Sequence, residues 1–464
     1  MDQSTYRTSI GDSLAAFGAR RAASIIRAIG AGAGTTLPGR LADRVRPGLL
    51  ARRAARLPGG VVVVSGTNGK TTTAAMIAAM LEASGAPVVT NASGANMTGG
   101  VVGAFIASRA QDASTAVLEI DEGALPALTG RLRPRLLVLT NVFRDQLDRF
   151  GEPERVTGLL KEAAEALPAS AHVIANADDP LLWHAVRWAE PTGFGLSLNE
   201  AAGDATAPAD AEPGICPVCG EPLTYVRRTI AHLGRAQCRA CAWASSRPSV
   251  RGNVVAQAGV RGMVIESNGA IVTLRLGGLH NAYNAMAALA AADALGICRS
   301  TALAALERFT PRFGRAEEFE VDGRKLWLTL MKNPAGAGAT ARAVATDRDL
   351  GAVVICVNDR DADGRDVSWI WDADFERLIA TGRPLVASGS RAEEVALRLK
   401  YAGALACPEP DPVEAITVAA SLCAPGRVVA VLATYTAMLE IRRGLLGGRA
   451  ARVEQQPPRP AWAA

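Results

Sequence analysis

The sequence predicts an α/β protein: a central P-loop domain with a mostly parallel sheet and an inserted zinc ribbon, then a Rossmann-like α/β domain. Three observations predict it. Strand-like and helix-like segments alternate over residues 58–310 and again over 311–448, the pattern of parallel sheets covered by helices on both faces. A run of four valines leads into a glycine-rich loop and a helix start. Two CxxC pairs interrupt the first alternating region. A chain of 464 residues is also too long for one ordinary core.

The first strand is Val61-Val62-Val63-Val64, whose β-branched run reads as fully buried. Ser65-Gly66-Thr67-Asn68-Gly69-Lys70-Thr71-Thr72-Thr73 follows. Ala74, Met76, Ile77, Met80 and Leu81 then recur at helical spacing from Thr71 to Ala83. Strand, loop and helix start form an anion cradle. Backbone N–H groups and the helix dipole face a phosphate, Lys70 reaches its outer oxygens, and a hydroxyl from Thr71 or Thr72 can hold Mg²⁺. The common pattern has a glycine five residues before Gly69, where this chain has Val64. The stretch reads as an ATP site.

Further strands are expected at Pro87–Thr90, Thr115–Ile120, Leu136–Thr140 and His172–Ala175. Ligands of such sheets bind beyond the carboxyl ends of the strands, which makes the residues there site candidates. Glu119-Ile120-Asp121-Glu122 ends the third strand, and a carboxylate there can bind Mg²⁺ or merely cap a helix. Thr140-Asn141-Val142-Phe143-Arg144-Asp145-Gln146-Leu147-Asp148 follows the fourth, and Asn176-Ala177-Asp178-Asp179-Pro180 the fifth.

Cys216-Pro217-Val218-Cys219 and Cys238-Arg239-Ala240-Cys241 lie within residues 212–248. Each CxxC turn presents two thiolates to one point, and two turns complete a tetrahedral shell for Zn²⁺. Four sulfurs leave no open position, so the zinc is expected to be structural. A hairpin from Leu223 to Ile230, with Gly234 turning, fills the gap, flanked by small polar stretches at Ala201–Pro213 and Ser245–Asn253. Arg227, Arg228, Arg235 and Arg239 lie nearby, but Tyr225 and Trp243 make no stacking row. A structural or partner-docking role is expected, without nucleic acid.

Strands Lys325–Leu330, Gly351–Val357, Pro384–Ala387 and Val428–Ala433 recur in the second region. Between them lies an acidic stretch, Asn358-Asp359-Arg360-Asp361-Ala362-Asp363-Gly364-Arg365-Asp366-Val367-Ser368-Trp369, which lacks the bidentate glutamate of a calcium loop. Residues 1–57 form a basic, helical segment. Leu14, Phe17, Ile25, Ile26 and Ile29 mark one apolar face, and Gly30 to Gly34 and Leu37-Pro38-Gly39 break it. A packing helix with a solvated basic side and an anion-attracting one both fit. Residues 449–464 read as a disordered tail. Cys298, Cys356, Cys407 and Cys423 are scattered in apolar surroundings and are expected buried and reduced. The composition, 49% hydrophobic with a net charge of +5, is that of a globular protein. No apolar run approaches a membrane span and no signal pattern opens the chain, so a cytoplasmic location is expected.

The loop Gly66-Thr67-Asn68-Gly69-Lys70-Thr71-Thr72 resembles the ATP loop of the Mur ligase family, which includes folylpolyglutamate synthetase. Glu119, Thr140-Asn141 with Asp145, Asn176 to Pro180, Gly278-Leu279-His280-Asn281-Ala282-Tyr283-Asn284 and Gly314-Arg315 match later motifs of that family in order. Gln146 stands where ordinary members have histidine. By resemblance Lys70 binds the β/γ phosphates, Thr71 and Glu119 serve Mg²⁺, His280 and Asn281 lie near the base, and Arg315 reaches the phosphates. Lys332-Asn333-Pro334-Ala335-Gly336 resembles a loop of the family's C-terminal domain near the reacting carboxylate. The inserted ribbon together with Asp363-Gly364-Arg365-Asp366-Val367-Ser368-Trp369 is similar to the amidating branch of the family. That branch implies ATP-dependent amidation of the D-glutamate α-carboxylate in the stem peptide of lipid II, at the inner face of the membrane. Ammonia is implied to come from a separate glutaminase subunit of the GatD type, whose catalytic histidine would be oriented by an aspartate of this chain, Asp366 first or Asp363 second. An amino-acid-adding ligase and a nucleic-acid-binding ATPase are the alternatives.

Overall fold

The computed structural model describes residues 17–19, 21, 36–91, 94–108, 113–145, 152–198, 214–310, 314, 316–321 and 323–447. Arg315, Gln146-Leu147-Asp148, most of the expected basic helix (Leu14, Ile25, Ile26, Ile29), Gly30 to Gly34 and the expected tail lie outside them.

In the first unit the valine run forms β1 (Val61–Ser65), followed by β2 (Val88–Thr90), β3 (Thr115–Glu119), β4 (Leu136–Leu139), β5 (His172–Asn176) and β6 (Thr192–Leu198). The ribbon holds β7 (Thr224–Arg228) and β8 (Gly234–Gln237). The sheet then resumes with β9 (Val250–Gln257), β10 (Met263–Ser267) and β11 (Ala270–Leu274). Among the described residues the sheet has nine strands in the order β11-β10-β9-β6-β5-β4-β1-β3-β2. It is parallel from β2 across to β9 and antiparallel through β10 and β11. Because strand side chains alternate, Val62 and Val64 enter one core and Val61 and Val63 the other. Helices Lys70–Ala83, Leu279–Ala294 and Arg299–Arg308 cover the first face. Thr98–Ala107, Leu125–Leu132 and Pro153–Glu165 cover the second. The chain leaves β1 and β4 toward opposite faces, so the loops after these neighbouring strands open a crevice at a topological switch point.

The second unit comprises β12 (Glu317–Val321), β13 (Arg324–Leu330), β14 (Leu350–Cys356), β15 (Leu385–Ser388), β16 (Cys407–Glu409) and β17 (Val428–Ala433), ordered β12-β13-β17-β14-β15-β16. Only the β12–β13 pair is antiparallel among them. Val353 and Ile355 face one core, Val354 and Cys356 the other.

Several expectations need correcting. Leu37-Pro38-Gly39 does not break a helix; it lies inside Thr36–Val45. Pro38 sits in the first turn, where a missing N–H has no intrahelical partner to lose. Gly39 is there for contact, since a Cβ on it would lie 1.9 Å from the Gly99 carbonyl oxygen of helix Thr98–Ala107. Val250 to Asn253 are not part of a polar flank but belong to β9. Gly234 opens β8, and the ribbon turn runs through Ile230 to Leu233, closed by Thr229 N donating to Leu233 O at 2.9 Å. Of the scattered cysteines Cys356 is buried, but Cys298 and Cys407 are exposed. Cys298 precedes a surface helix and Cys407 lies on an edge strand.

Candidate nucleotide and transfer site

The P-loop is braced by the loop after β4. Thr67 N donates to Asn141 O at 2.8 Å, Asn68 N to Asn141 Oδ1 at 2.8 Å, and Phe143 N to Thr67 Oγ1 at 3.1 Å. Gly69 takes φ 86° at the head of helix Lys70–Ala83. A Cβ there would lie 2.1 Å from Asn284 Oδ1, so the close approach of helix Leu279–Ala294 to the loop requires glycine. The turn thus formed aims the first N–H groups of the helix, which have no intrahelical acceptors, into the crevice.

Lys70 is buried, and its Nζ donates to Glu122 at 3.0 and 3.1 Å and to Gly66 O at 2.5 Å. Burial alone would lower its pKa. The charges of Glu122, Glu119 and Asp121 outweigh that and leave it raised, so the amine is an ammonium. Glu119 is held by Asn91, whose Oδ1 accepts from Glu119 N at 3.0 Å, and by Asn96, whose Nδ2 donates to Glu119 Oε1 at 3.1 Å. Lys70, Thr71, Glu119, Lys332 and Asp363 line one cavity between the two units. Glu122 is the residue that sequence reasoning left without a role. It was visible in the acidic run, but which carboxylate faces the lysine depends on how β3 ends.

A second cavity shares Asn68, Gly69 and Lys332 with the first and extends to His280, Asn281 and Trp327. Asn281 is oriented by its own helix start: Nδ2 donates to Gly277 O at 2.8 Å, and Oδ1 accepts from Asn284 Nδ2 at 3.2 Å. The P-loop therefore has an amide-lined cavity on one side and a carboxylate- and lysine-lined cavity on the other. That division suits a triphosphate whose base and transferred group point apart.

The second unit closes the crevice. Lys332 Nζ donates to Asp145 Oδ2 at 2.5 Å, Arg144 meets Asp372 at 3.4 Å, and Asn333 pairs with Asn68. Asn333 Oδ1 also accepts from Gly336 N at 2.9 Å, capping helix Pro334–Thr346.

The two candidate aspartates occupy different settings. Asp363 is buried; its carboxylate accepts from Thr436 N at 2.7 Å and from the Thr436 hydroxyl, holding the start of helix Tyr435–Gly447. Asp366 is exposed and accepts from Ser368 N at 2.8 Å; the Ser368 hydroxyl, that N–H and nearby Arg144 keep its carboxyl below the usual range.

The four thiols Cys216, Cys219, Cys238 and Cys241 lie within 4.8 Å of one another, with Cys216–Cys241 and Cys219–Cys238 both at 3.5 Å. Tetrahedral zinc with ~2.3 Å bonds sets sulfurs ~3.8 Å apart, so the donor set fits Zn²⁺. Backbone N–H groups of Cys241 and Ala240 draw the Cys238 thiol down to about 7, whereas the Cys219 and Cys241 thiols are pushed up, so the fit to zinc rests on the geometry of the four sulfurs. Among the described residues no other His, Cys, Asp or Glu cluster converges in this way. Glu119, with Asp121 and Glu122 in the same cavity, offers a carboxylate oxygen, which suits Mg²⁺ bound mainly by waters and phosphates.

Fold and site together define a ligase of the Mur type, a family that uses ATP. Residues 64–210 match the Mur ligase middle domain, and residues 330–438 match the MurT ligase C-terminal domain. The chain is 33% identical over 434 residues to the MurT subunit of the glutamine-hydrolysing lipid II isoglutaminyl synthase of Streptococcus pneumoniae, covering 91% of this chain and 95% of that one. It is 34% identical over 386 residues to the corresponding subunit of Staphylococcus aureus, covering 83% and 86%. The chain belongs to the MurT family. A pseudomurein peptide ligase type C from Methanothermus fervidus shares the fold, with a TM-score of 0.65 at 22% identity over 83% of this chain and 78% of that one. Among the described residues no helix is long and apolar enough to cross a membrane.

Proposed function

We propose that the chain is the synthetase subunit of a lipid II isoglutaminyl synthase, amidating the D-glutamate α-carboxylate of the stem peptide. The observation that carries this reading is the match along 95% of the pneumococcal MurT subunit, in both its ATP-loop and C-terminal parts. A carboxylate is a poor electrophile, so its oxygen first attacks the γ-phosphorus of ATP and ADP leaves. Ammonia then attacks the acyl carbon of the acyl phosphate. Inorganic phosphate departs, and the nitrogen loses one proton to give D-isoglutamine. Lys70 neutralises charge on the transferring group, with Lys332 facing it across the crevice. Thr71 and Glu119 are the oxygens offered to Mg²⁺, which when bound offsets phosphate charge. Asn281 and His280 meet the base, and Arg315 is assigned to the phosphates.

Ammonia must arrive unprotonated, and a subunit implies a partner. We assign that partner as a GatD-type glutaminase. Asp366, exposed and ionised, is the group on this side that can orient its histidine, whereas Asp363 is engaged within its own chain. The work is placed at the inner face of the membrane, where the lipid-linked substrate is held.

The test uses the purified chain with Mg-ATP, lipid II and concentrated ammonium, following the stem peptide by mass. One carboxylate should become an amide, with glutamine replacing ammonium only once a glutaminase is added. An appended amino acid instead would make the chain an adding ligase, and no change at all would remove carboxylate activation.

A further inference from the structure

The ribbon is joined to the nucleotide crevice at the end opposite its cysteines. Between β7 and β8 the turn Thr229 to Leu233 leaves the ribbon and enters the main core, where Ile230, Ala231 and Leu233 are 3%, 3% and 1% exposed. Ile230 and Leu233 border the same cavity as His280, Asn281 and Tyr283. The turn is tied there by several bonds. The Thr229 hydroxyl meets Tyr283 Oη at 2.7 Å, and that Oη donates to Asp178 Oδ2 at 2.8 Å. Gly234 N donates to Asp178 O at 2.8 Å. His232 packs edge-on to Phe143, 5.1 Å between centroids, with Nε2 3.6 Å from Asp179. Four thiols clamp one end of a short hairpin, and its other end backs the pocket.

We propose that the ribbon tip is a specificity-determining part of the nucleotide site: Ile230 and Leu233, packed in the core behind the cavity lining, fix the shape of the pocket that takes the purine of ATP. The thiol cluster holds the tip in position through β7 and β8. This rests on the assignment of the cavity beside His280 and Asn281 to the base. The base pocket keeps its shape only while the tip fills the core behind it, whereas the phosphates are held elsewhere, by Lys70 and the loop. The tip therefore contributes to binding of ATP and not to binding of a bare triphosphate. Its zinc acts at a distance, as a brace. The amide of Asn281 reads an edge of the base, and the tip sets the room beside it.

The experiment titrates the full-length protein with Mg-ATP and, separately, with magnesium tripolyphosphate, by calorimetry. It compares wild type, Leu233→Ala, Tyr283→Phe, Asn281→Ala and wild type stripped of zinc by a chelator. Tyr283→Phe keeps the ring and removes only the hydroxyl tie, so it serves if Leu233→Ala does not fold. Leu233→Ala and zinc removal are each expected to weaken ATP by about tenfold, and Tyr283→Phe by a few-fold. Tripolyphosphate affinity should stay unchanged in all of them. Equal weakening of ATP and tripolyphosphate would overturn the proposal, since the ribbon would then support the fold at large. If Asn281→Ala weakens ATP while the ribbon changes do not, the tip has no role and the base assignment stands. If Asn281→Ala leaves ATP binding intact, the base assignment itself fails and the proposal falls with it.

Discussion

Asn68 of the P-loop and Asn333 of the second unit exchange two side-chain amide bonds, 3.1 Å in one direction and 3.0 Å in the other. The loop that faces the phosphates is thereby fastened to the unit that must close over them. Asn333 also caps its own helix, so one amide serves the interface and the second unit together. Asn333→Ala should cost roughly 1 kcal/mol through the lost cap. It should also raise the KM for ATP several-fold while kcat falls less. Urea unfolding and steady-state titration separate the two effects, and an unchanged KM would mean that the amide pair does not help the crevice close.

Lys70 and Glu122 form a buried ion pair at the point where the γ-phosphate is expected. Lys70→Met should lower kcat for amidation by about 10²–10³, the scale of losing one group that stabilises developing charge. The Lys70 pKa is raised in the fold, so its stabilising contribution is fully present below the unfolded value of 10.5. That contribution is lost only as pH rises through the higher folded value. Neutral and mildly alkaline stability profiles of wild type should therefore show no transition from this pair.

Asp366 and Asp363 should separate cleanly in function. Asp366→Asn, assayed with a glutaminase partner, should lose glutamine-dependent amidation by up to about 10⁴-fold, the effect of a misoriented catalytic histidine. Ammonium-dependent amidation should remain. Asp363→Asn should act on stability, because its carboxylate holds the first turn of helix Tyr435–Gly447. If both variants lose glutamine and ammonium activity alike, the split assignment is wrong.

Asp178 is a carboxyl whose burial pushes its pKa up to about 6, against the lowering effect of Leu196 N–H and the Tyr283 hydroxyl. Its native form binds a proton more tightly than its unfolded form. Stability therefore falls as pH rises from about 4 to about 6, by on the order of 2–3 kcal/mol for this group. Asp178→Asn removes that slope, because an amide does not titrate, and its carbonyl oxygen can still accept both bonds. Urea midpoints at pH 4.5 and 7.5 should converge in the variant relative to wild type. Parallel shifts at both pH values would exclude a buried, proton-binding Asp178.

Much of the site was legible because it lies in short, local runs. The valine strand, the glycines, Lys70, Thr71, the carboxylates after β3 and the two CxxC turns each carry their chemistry within a few residues. The strands missed were those whose pairing is decided elsewhere. β6 contains two glycines and owes its place to its parallel neighbours; β9 pairs parallel with β6 and antiparallel with β10, and β10 and β11 are five-residue antiparallel strands whose pairing the helix–strand alternation does not announce. Cross-unit contacts such as Asn68–Asn333 and Lys332–Asp145 join residues far apart in sequence, and no spacing rule could pair them. The ribbon tip was hidden for the same reason, since Ile230 and Leu233 look like ordinary hairpin residues until the core closes around them.

The ribbon also lies between β6 and β9, which are neighbouring parallel strands. Parallel neighbours need a crossover, usually a helix that packs itself. Here part of the crossover has a small core of its own, Cys216, Leu223, Ala236, Cys238 and Trp243, two of which belong to the four-thiol cluster that fits zinc. A newly made chain reaches β9, β10 and β11 through this segment, and with zinc as its expected clamp its order should depend on the ion. We expect these three strands to gain amide protection later than β1 to β5 when zinc is withheld, and together with them when it is supplied. Pulse-labelled hydrogen exchange during refolding reads this directly, and simultaneous protection without zinc would exclude it. Assembly of the far edge of the sheet, and with it the seat of helix Leu279–Ala294, then becomes a matter of metal supply in the cell as much as of sequence.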